Sequence, residues 1–173
     1  VLTPLLWYQM KDYQKVRVLS FIHPDMDPTG IGYHSLQSKI AVGSGGFAGK
    51  GLLAGTQGGL NFVPEKHTDF IFAVVGEELG FVGSSLVIFL YLAIIIKGLS
   101  IAFTARDALG SLLAAGVVTM LALYVVLNIA MTVGMAPVVG IPLPLISYGG
   151  SSAVTTLIGI GLLMNVSMRR FDV

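Results

Sequence analysis

Residues 79–96 read LGFVGSSLVIFLYLAIII, an uninterrupted run of 18 residues without a charged side chain. A helix needs roughly this length to cross the hydrocarbon core of a bilayer. Two similar runs follow, at about Leu109–Val133 and Leu145–Val166. Of the 173 residues, 11% are charged, whereas a soluble domain has roughly 25%. The sequence therefore predicts an all-α polytopic membrane protein with three complete transmembrane helices.

The basic residues beside these runs predict which way the helices point. Lys97 and Arg106 lie between the first two runs, and Arg169 and Arg170 follow the third. The loop GMAPVVGIPLPL between the second and third runs has no charge. Because cytoplasmic loops are enriched in Lys and Arg, the C-terminus is predicted inside and the proline-containing loop outside. Six of the ten basic residues lie in segment 11–66, but loops this long have little influence on topology.

The same pattern divides the chain into three parts. Residues 1–10 are predicted to be the end of a truncated transmembrane helix. Residues 11–69 form a large extracytoplasmic loop, and residues 70–173 form three transmembrane helices with a cytoplasmic C-terminus. The loop contains a predicted short amphipathic helix near His34–Val42. It continues as GSGGFAGKGLLAGTQGGL, residues 43–60, whose eight glycines permit the positive φ angles of an anion-binding backbone nest. A mobile loop is the alternative explanation.

Several other classes of protein do not fit. The absence of cysteine excludes disulfides, zinc–thiolate sites and cysteine catalysis. A net charge of +1 without a basic cluster gives no indication of a nucleic-acid partner. GSGGFA, residues 43–48, fits the dinucleotide-binding pattern, but no βαβ unit surrounds it, and GFAGKG lacks the first glycine and the Ser or Thr of a P-loop.

Asp69, in the stretch HTDF, lies just before the apolar sequence of the first predicted helix. A carboxylate at this boundary is reachable from water and partly desolvated, which suits a general base. The alternative is structural, with Thr68 or Asp69 serving as the N-cap of the helix.

Glu77 and Glu78 lie roughly 11 to 14 Å further along the same helix, at 1.5 Å per residue. Carboxylates at membrane depth must face a cavity, a partner or a cation. At 100° per residue, Glu77 lies about 80° from Asp69, and Glu78 lies on the opposite face. Glu77 is therefore predicted to share a pocket with Asp69, with structural hydrogen bonding between helices as the alternative. Asn128 and the hydroxyls of SYGGSSAVTT are predicted to form interhelical hydrogen bonds.

Longer motifs resemble those of a known family. NIAMTVGMAPVVGIPLPLISYGGSS, residues 128–152, resembles the extended signature of the SEDS (shape, elongation, division and sporulation) proteins. YQKVRV, GYHSLQSKIAVGSGGFAGKG, GTQ and FVPEKHTDFIFAVVGEELG follow the same family in order. The match covers Tyr13–Arg170. GTQ followed by NFVPEKHTDF resembles the rod-shape (RodA-like) branch more than the division (FtsW-like) branch.

The resemblance implies a SEDS-type helical bundle, of which this chain holds the C-terminal part. It implies an inverting peptidoglycan glycosyltransferase that polymerises lipid II at the outer face of the bacterial cytoplasmic membrane, for cell elongation and rod shape. A class B penicillin-binding protein is the implied partner. The alternatives are a lipid II flippase and a noncatalytic scaffold that activates the penicillin-binding protein. No cofactor and no metal ligand is assigned, and a requirement for a divalent cation stays open.

The resemblance also assigns roles to residues, because the family's essential acidic residue falls on Asp69. The residues predicted to bind substrate are Arg17, Gln37, Lys50, Gln57, Glu65, His67, Glu77, Ser147 and Tyr148. In this chemistry a base takes the proton of a sugar 4-hydroxyl as the oxygen attacks an anomeric carbon. The lipid pyrophosphate leaves without the second carboxyl that glycosidases need. Lys50, Arg17 and the glycine-rich backbone are candidates to bind its phosphates.

Overall fold

The computed structural model describes residues 10–23, 30–52 and 69–169, which form five α-helices. They are α1 (Asp12–Ile22), α2 (Ile31–Ser44), α3 (Ile71–Thr104), α4 (Ala108–Thr132) and α5 (Gly150–Arg169). The predicted all-α class is thereby confirmed. The predictions for residues 1–9 and for Gln57, Glu65 and His67 lie outside the described residues.

Three of the helices, α3, α4 and α5, are long and apolar enough to cross a membrane. This number agrees with the three predicted spans, but two boundaries differ. The first helix begins at Ile71 and ends at Thr104, so it includes the glutamates and Lys97 that limited the uncharged run. The third begins at Gly150, whereas its apolar run begins at Leu145.

Residues 145–149 are not helical because the preceding chain forms a turn. The hydroxyl of Ser147 accepts a hydrogen bond from the backbone N–H of Leu143 at 2.7 Å, and Leu145 has a φ of 67°. A positive φ is incompatible with a right-handed helix. Residues 133–149, called the proline loop below, therefore form an irregular connection between α4 and α5.

The described residues before α3 include one helix that the sequence predicts and one that it does not. The helix predicted near His34–Val42 is present as α2, whereas α1 had no counterpart in the prediction. α2 packs against α1, α3 and α4. The buried Ser38 hydroxyl donates to the carbonyl oxygen of Thr132 at 2.9 Å, which fixes α2 to the end of α4.

Within the described ranges, buried apolar residues form three small clusters. Where α3, α4 and α5 meet, the cluster is built largely from small and β-branched side chains, which allow membrane helices to approach closely. Its members are Ala102, Ala114, Val118, Leu163 and Val166.

The other two clusters fix the start of α3. One joins Phe70 and Ala73 to Ala41 of α2, with Val138 of the proline loop packed against it. The other contains Phe72, Tyr91, Val125 and Leu143. The first residues of α3 are therefore packed between α2, α4 and the proline loop, and this packing positions Asp69.

Candidate functional site

Asp69 is half-buried and lies against the proline loop. Its Oδ2 is 3.3 Å from the position that a Cβ on Gly140 would occupy. Gly140 has a φ of 79°, which side-chain-bearing residues rarely adopt. The N-cap of α3 is Phe70, so the alternative that Asp69 itself is the N-cap is wrong.

The backbone of Asp69 is held by the buried side chain of Asn128. Asn128 Nδ2 donates to the carbonyl oxygen of Asp69 at 2.9 Å and to that of Ile141 at 2.7 Å. Asn128 was predicted to form interhelical hydrogen bonds, whereas its bonds go from α4 to two non-helical residues, Asp69 and Ile141. One amide fixes the separation between Asp69 and the proline loop.

Arg17 of α1 contacts the same part of the proline loop. Its Nη1 donates to the carbonyl oxygen of Val139 at 2.6 Å, and Val139 directly precedes Gly140. A guanidinium has five N–H donors, so this bond leaves others for a ligand. The Asp69 carboxylate and the Arg17 guanidinium therefore lie against two consecutive residues of the proline loop, Gly140 and Val139.

Lys39 of α2 is a cation that the sequence analysis did not select. A Cβ on Gly134 would lie 1.6 Å from Lys39 Cε, so the lysine stem covers this glycine at the C-terminal end of α4. A cation is favourable at a helix C-terminus. Two cations therefore contact the proline loop: Arg17 at Val139 and Lys39 at Gly134.

Gly140 was also not predicted, since the sequence does not indicate that it lies beside Asp69.

Lys50 and Glu77 form an ion pair at a second position. Lys50 Nζ lies 2.8 Å from Glu77 Oε1, and the Glu77 side chain is fully buried. Glu77 was predicted to share a pocket with Asp69, whereas in the structure its carboxylate pairs with Lys50. The two carboxylates are about 12 Å apart along the helix axis, at 1.5 Å per residue.

A break in α3 lies next to this ion pair. Gly80 has φ 64° and ψ −157° inside the helix. In a continuous helix the N–H groups of Phe81 and Val82 would donate to the carbonyls of Glu77 and Glu78. Instead these N–H groups donate to Gly46 and Phe47, while the two carbonyls accept from Lys50 and Gly51, at 2.9 to 3.2 Å.

Segment 46–51 therefore inserts into the helix break and satisfies four main-chain groups there. The close approach requires glycine: a Cβ on Gly49 would lie 2.1 Å from the Glu78 carbonyl oxygen, and one on Gly80 would lie 2.3 Å from Gly49 N. The N–H groups of Gly49, Lys50 and Gly51 all donate to backbone carbonyls. This part of the glycine-rich run is thus engaged within the protein, and the predicted anion nest is not formed by these three groups.

The remaining predicted site residues are dispersed. Gln37 lies half-buried on α2, and Tyr148 is exposed in the proline loop. Ser147 stabilises the turn at Leu143. Among the residues that the structure describes, no cluster of three or more His, Asp or Glu side chains is arranged to hold a metal ion.

Taken together, the three membrane-length helices and the carboxylate at the entrance of α3 define an all-helical, multi-pass membrane protein with a polar site at one end of its bundle. The chain belongs to the FtsW, RodA and SpoVE family of cell cycle proteins, whose sequence profile matches residues 1–171. The family predicted from the motifs is thereby confirmed.

Curated relatives carry the names of both branches. The chain is 51% identical over 168 residues to the peptidoglycan glycosyltransferase MrdB of Escherichia coli K12, covering 96% of this chain and 45% of the relative. It is 46% identical to the peptidoglycan glycosyltransferase RodA of Treponema pallidum, covering 93% of this chain and 37% of the relative. A probable peptidoglycan glycosyltransferase FtsW of Geobacter metallireducens is 43% identical, with 96% and 44% covered. The chain thus spans less than half the length of these relatives.

Two solved structures have the same fold. One, described as the structural coordination of polymerization and crosslinking by a peptidoglycan synthase complex, matches with a TM-score of 0.80 at 33% identity. This match covers 100% of the present chain and 47% of the solved one. The other is the crystal structure of an Asp-to-Ala mutant of the Thermus thermophilus rod shape determining protein RodA, with a TM-score of 0.59 at 29% identity. It covers 91% of this chain and 55% of that one.

Proposed function

We propose that the protein containing this chain is a peptidoglycan glycosyltransferase that polymerises lipid II, with Asp69 as the general base. The observation that carries the proposal is the position of the Asp69 carboxylate, half-buried at the entrance of α3 and adjacent to Gly140. The names of the curated relatives support the same reaction. RodA-like function in cell elongation is the branch that we propose.

The reaction requires one proton transfer and one displacement. Asp69 accepts the proton of the acceptor sugar's 4-hydroxyl while that oxygen forms a bond to the donor's anomeric carbon. The bond from this carbon to the lipid pyrophosphate breaks, and the pyrophosphate takes the electron pair. Pyrophosphate is stable without added protons, so a single carboxylate is sufficient, and one displacement inverts the anomeric configuration.

Arg17 is the better placed of the two cations considered for the leaving group. Lys50 is paired with the buried Glu77, whereas Arg17 contacts the loop residue next to Gly140. A guanidinium binds phosphate oxygens through paired N–H groups. In this proposal it stabilises the charge that develops on the pyrophosphate. The roles of Gln37, Gln57, Glu65, His67, Ser147 and Tyr148 in binding substrate remain predictions.

The proposed setting is the bacterial cytoplasmic membrane, with segment 11–69 and the proline loop on the outer side and the α3–α4 connection in the cytoplasm. The three membrane-length helices and the basic residues beside them support this arrangement. A class B penicillin-binding protein is the proposed partner. The structural match to a peptidoglycan synthase complex supports this assignment.

The test compares Asp69→Asn with Asp12→Asn in the purified full-length protein, using lipid II in detergent and gel separation of the glycan products. Asp12 is a matched control because its side chain is fully exposed at the start of α1. Loss of a general base lowers the rate by about 10² to 10⁴-fold. We expect this loss for Asp69→Asn and a normal rate for Asp12→Asn.

Three results would contradict the proposal. Polymerisation at the normal rate by Asp69→Asn would remove Asp69 from the mechanism. A wild-type protein that moves lipid II across vesicles but makes no polymer in detergent would be a flippase. Polymer that forms only when the partner's own transferase is active would indicate a scaffold.

A further inference from the structure

The first nine residues of α3, Ile71–Leu79, form a short segment between Asp69 and the Gly80 break, called the entrance helix below. Its N-terminal end is fixed by the bond from Asn128 to the Asp69 carbonyl and by the buried Phe70. Its C-terminal end does not continue directly into the rest of α3. That end is fixed instead by segment 46–51, whose N–H groups bind the carbonyls of Glu77 and Glu78.

The Lys50–Glu77 ion pair is a side-chain contact at this C-terminal end. Glu77 is fully buried, while the Lys50 side chain is 29% exposed. A buried carboxylate is costly unless a cation and hydrogen bonds accompany it, so the position of Glu77 is strongly tied to that of Lys50. Lys50 also donates its backbone N–H to the Glu77 carbonyl at 3.0 Å. The same two residues are thus joined through both main chain and side chain.

This arrangement has a consequence for Asp69, which lies at the other end of the entrance helix. The entrance helix has about two and a half turns, at 3.6 residues per turn, and its backbone hydrogen bonds connect its two ends. Any tilt or axial shift at Glu77 is therefore transmitted to the carboxylate beside Gly140. A misplacement of about 1 Å in a catalytic group can lower a rate by about 10²-fold.

We propose that Lys50 and Glu77 are positioning residues, which place the Asp69 carboxylate by fixing the far end of the entrance helix. This inference rests on the proposed role of Asp69 as the base. It assigns to both residues a role different from the substrate binding predicted for them from the sequence. Neither residue needs to contact the sugar or the pyrophosphate in this role.

The experiment measures kcat and KM for lipid II in purified full-length protein carrying Glu77→Gln, Lys50→Met, or both. We expect each single variant to lower kcat about 10- to 100-fold and to change KM by less than about twofold. The double variant should have nearly the kcat of the more impaired single variant, because both changes remove the same ion pair. Glu78→Gln is the matched control, since its half-buried side chain lies at the adjacent position, and its kcat should be unchanged.

Conservative variants separate positioning from a loss of folding. Lys50→Arg keeps the cation and should retain kcat within about threefold. Glu77→Asp keeps the buried carboxylate, but the shorter side chain places it further from Lys50. We expect this variant to unfold at the wild-type temperature and to lower kcat at least about threefold. This pair decides the question if Lys50→Met does not fold.

Two results would overturn the inference. Wild-type kcat in Glu77→Asp and Glu77→Gln would show that the ion pair does not position the base. A raised KM with unchanged kcat would show that the pair binds substrate. Failure of the proposed function is distinguished by Asp69→Asn: full activity in that variant rejects Asp69 as the base, whatever the ion-pair variants do.

Discussion

The side chain of Asn128 holds the main chain of Asp69. Its Nδ2 donates to the Asp69 carbonyl oxygen at 2.9 Å, and the same nitrogen donates to Ile141 at 2.7 Å. The amide therefore links the entrance of α3 to the proline loop across the end of α4. Asn128 is fully buried and its two acceptor residues are half-buried, so loss of the amide removes two bonds from a partly desolvated site.

Replacing Asn128 with Ala should destabilise the protein by about 1 to 3 kcal/mol, the usual cost of leaving buried polar groups unpaired. It should also lower the polymerisation rate, because Asp69 loses a contact that fixes its backbone. Thermal unfolding of the detergent-solubilised protein and lipid II polymerisation measure the two effects. Asn165→Ala, on an exposed face of α5, is the control and should change neither. Equal unfolding temperatures for the two variants would contradict this prediction.

Gly140→Ala should impair activity more than the addition of one methyl group normally does. The φ of 79° strains any residue with a Cβ by roughly 1 to 2 kcal/mol. The new Cβ would also lie 3.3 Å from Asp69 Oδ2 and displace the carboxylate. Gly116→Ala in α4 is the matched control, since a Cβ there meets nothing within 4 Å. We expect a lower kcat for Gly140→Ala and full activity for Gly116→Ala. The reverse order would place Asp69 elsewhere in the working enzyme.

Arg17→Gln should weaken binding of the pyrophosphate-linked donor. Loss of a hydrogen bond to a charged group costs about 1.5 to 3 kcal/mol, which corresponds to a roughly 10- to 100-fold effect on KM or kcat/KM. Arg17→Lys keeps the charge and should lie between Gln and wild type. Lys15→Gln, on the same helix, should leave the kinetics unchanged. Lipid II titrations at two salt concentrations provide the measurement, and identical kinetics for Arg17→Gln and Lys15→Gln would exclude Arg17 from the donor site.

The proposed orientation predicts which positions are reachable from outside the cell. The chain has no native cysteine, so single cysteines report cleanly once any in the rest of the protein are removed. A cysteine at Met135, in the proline loop, should react with a membrane-impermeant thiol reagent in intact cells. One at Phe103, near the end of α3, should react only after lysis. Both native side chains are about 80% exposed, at 79% and 81%, so accessibility within the protein does not bias the comparison. Labelling in the opposite order would invert the topology.

The long helices were predictable because hydropathy over about 18 residues is a local property of the sequence. Their ends were not, since they depend on contacts with distant residues. Glu77 is tolerated inside α3 because Lys50 reaches it from another segment. Leu145 belongs to an apolar run but has a positive φ, in a turn that the hydroxyl of Ser147 stabilises. Neither of these contacts can be inferred from the amino-acid composition of the apolar runs.

The candidate site was likewise predictable only where it depends on local sequence. Asp69 was selected from its position before an apolar run, and its boundary location follows from the sequence alone. Its neighbours Gly140 and Asn128 lie 71 and 59 residues away along the chain, so no local pattern joins them to it. The glycine-rich run was predicted to use positive φ angles, and Gly46, Gly49 and Gly51 have them. Gly49 is also required for the close approach to the Glu78 carbonyl, which the sequence did not indicate. A glycine within the apolar run, Gly80, was the available signal that α3 is interrupted.

The break at Gly80 also determines how the protein opens locally. Segment 46–51 and the broken helix satisfy each other's main-chain groups, so neither can separate without exposing unpaired N–H and carbonyl groups on both. Gly80, at the break itself, is buried. The amide protons of Lys50, Gly51, Phe81 and Val82 should therefore exchange with deuterium with one common opening free energy, as members of a single cooperative unit built from two distant stretches of chain.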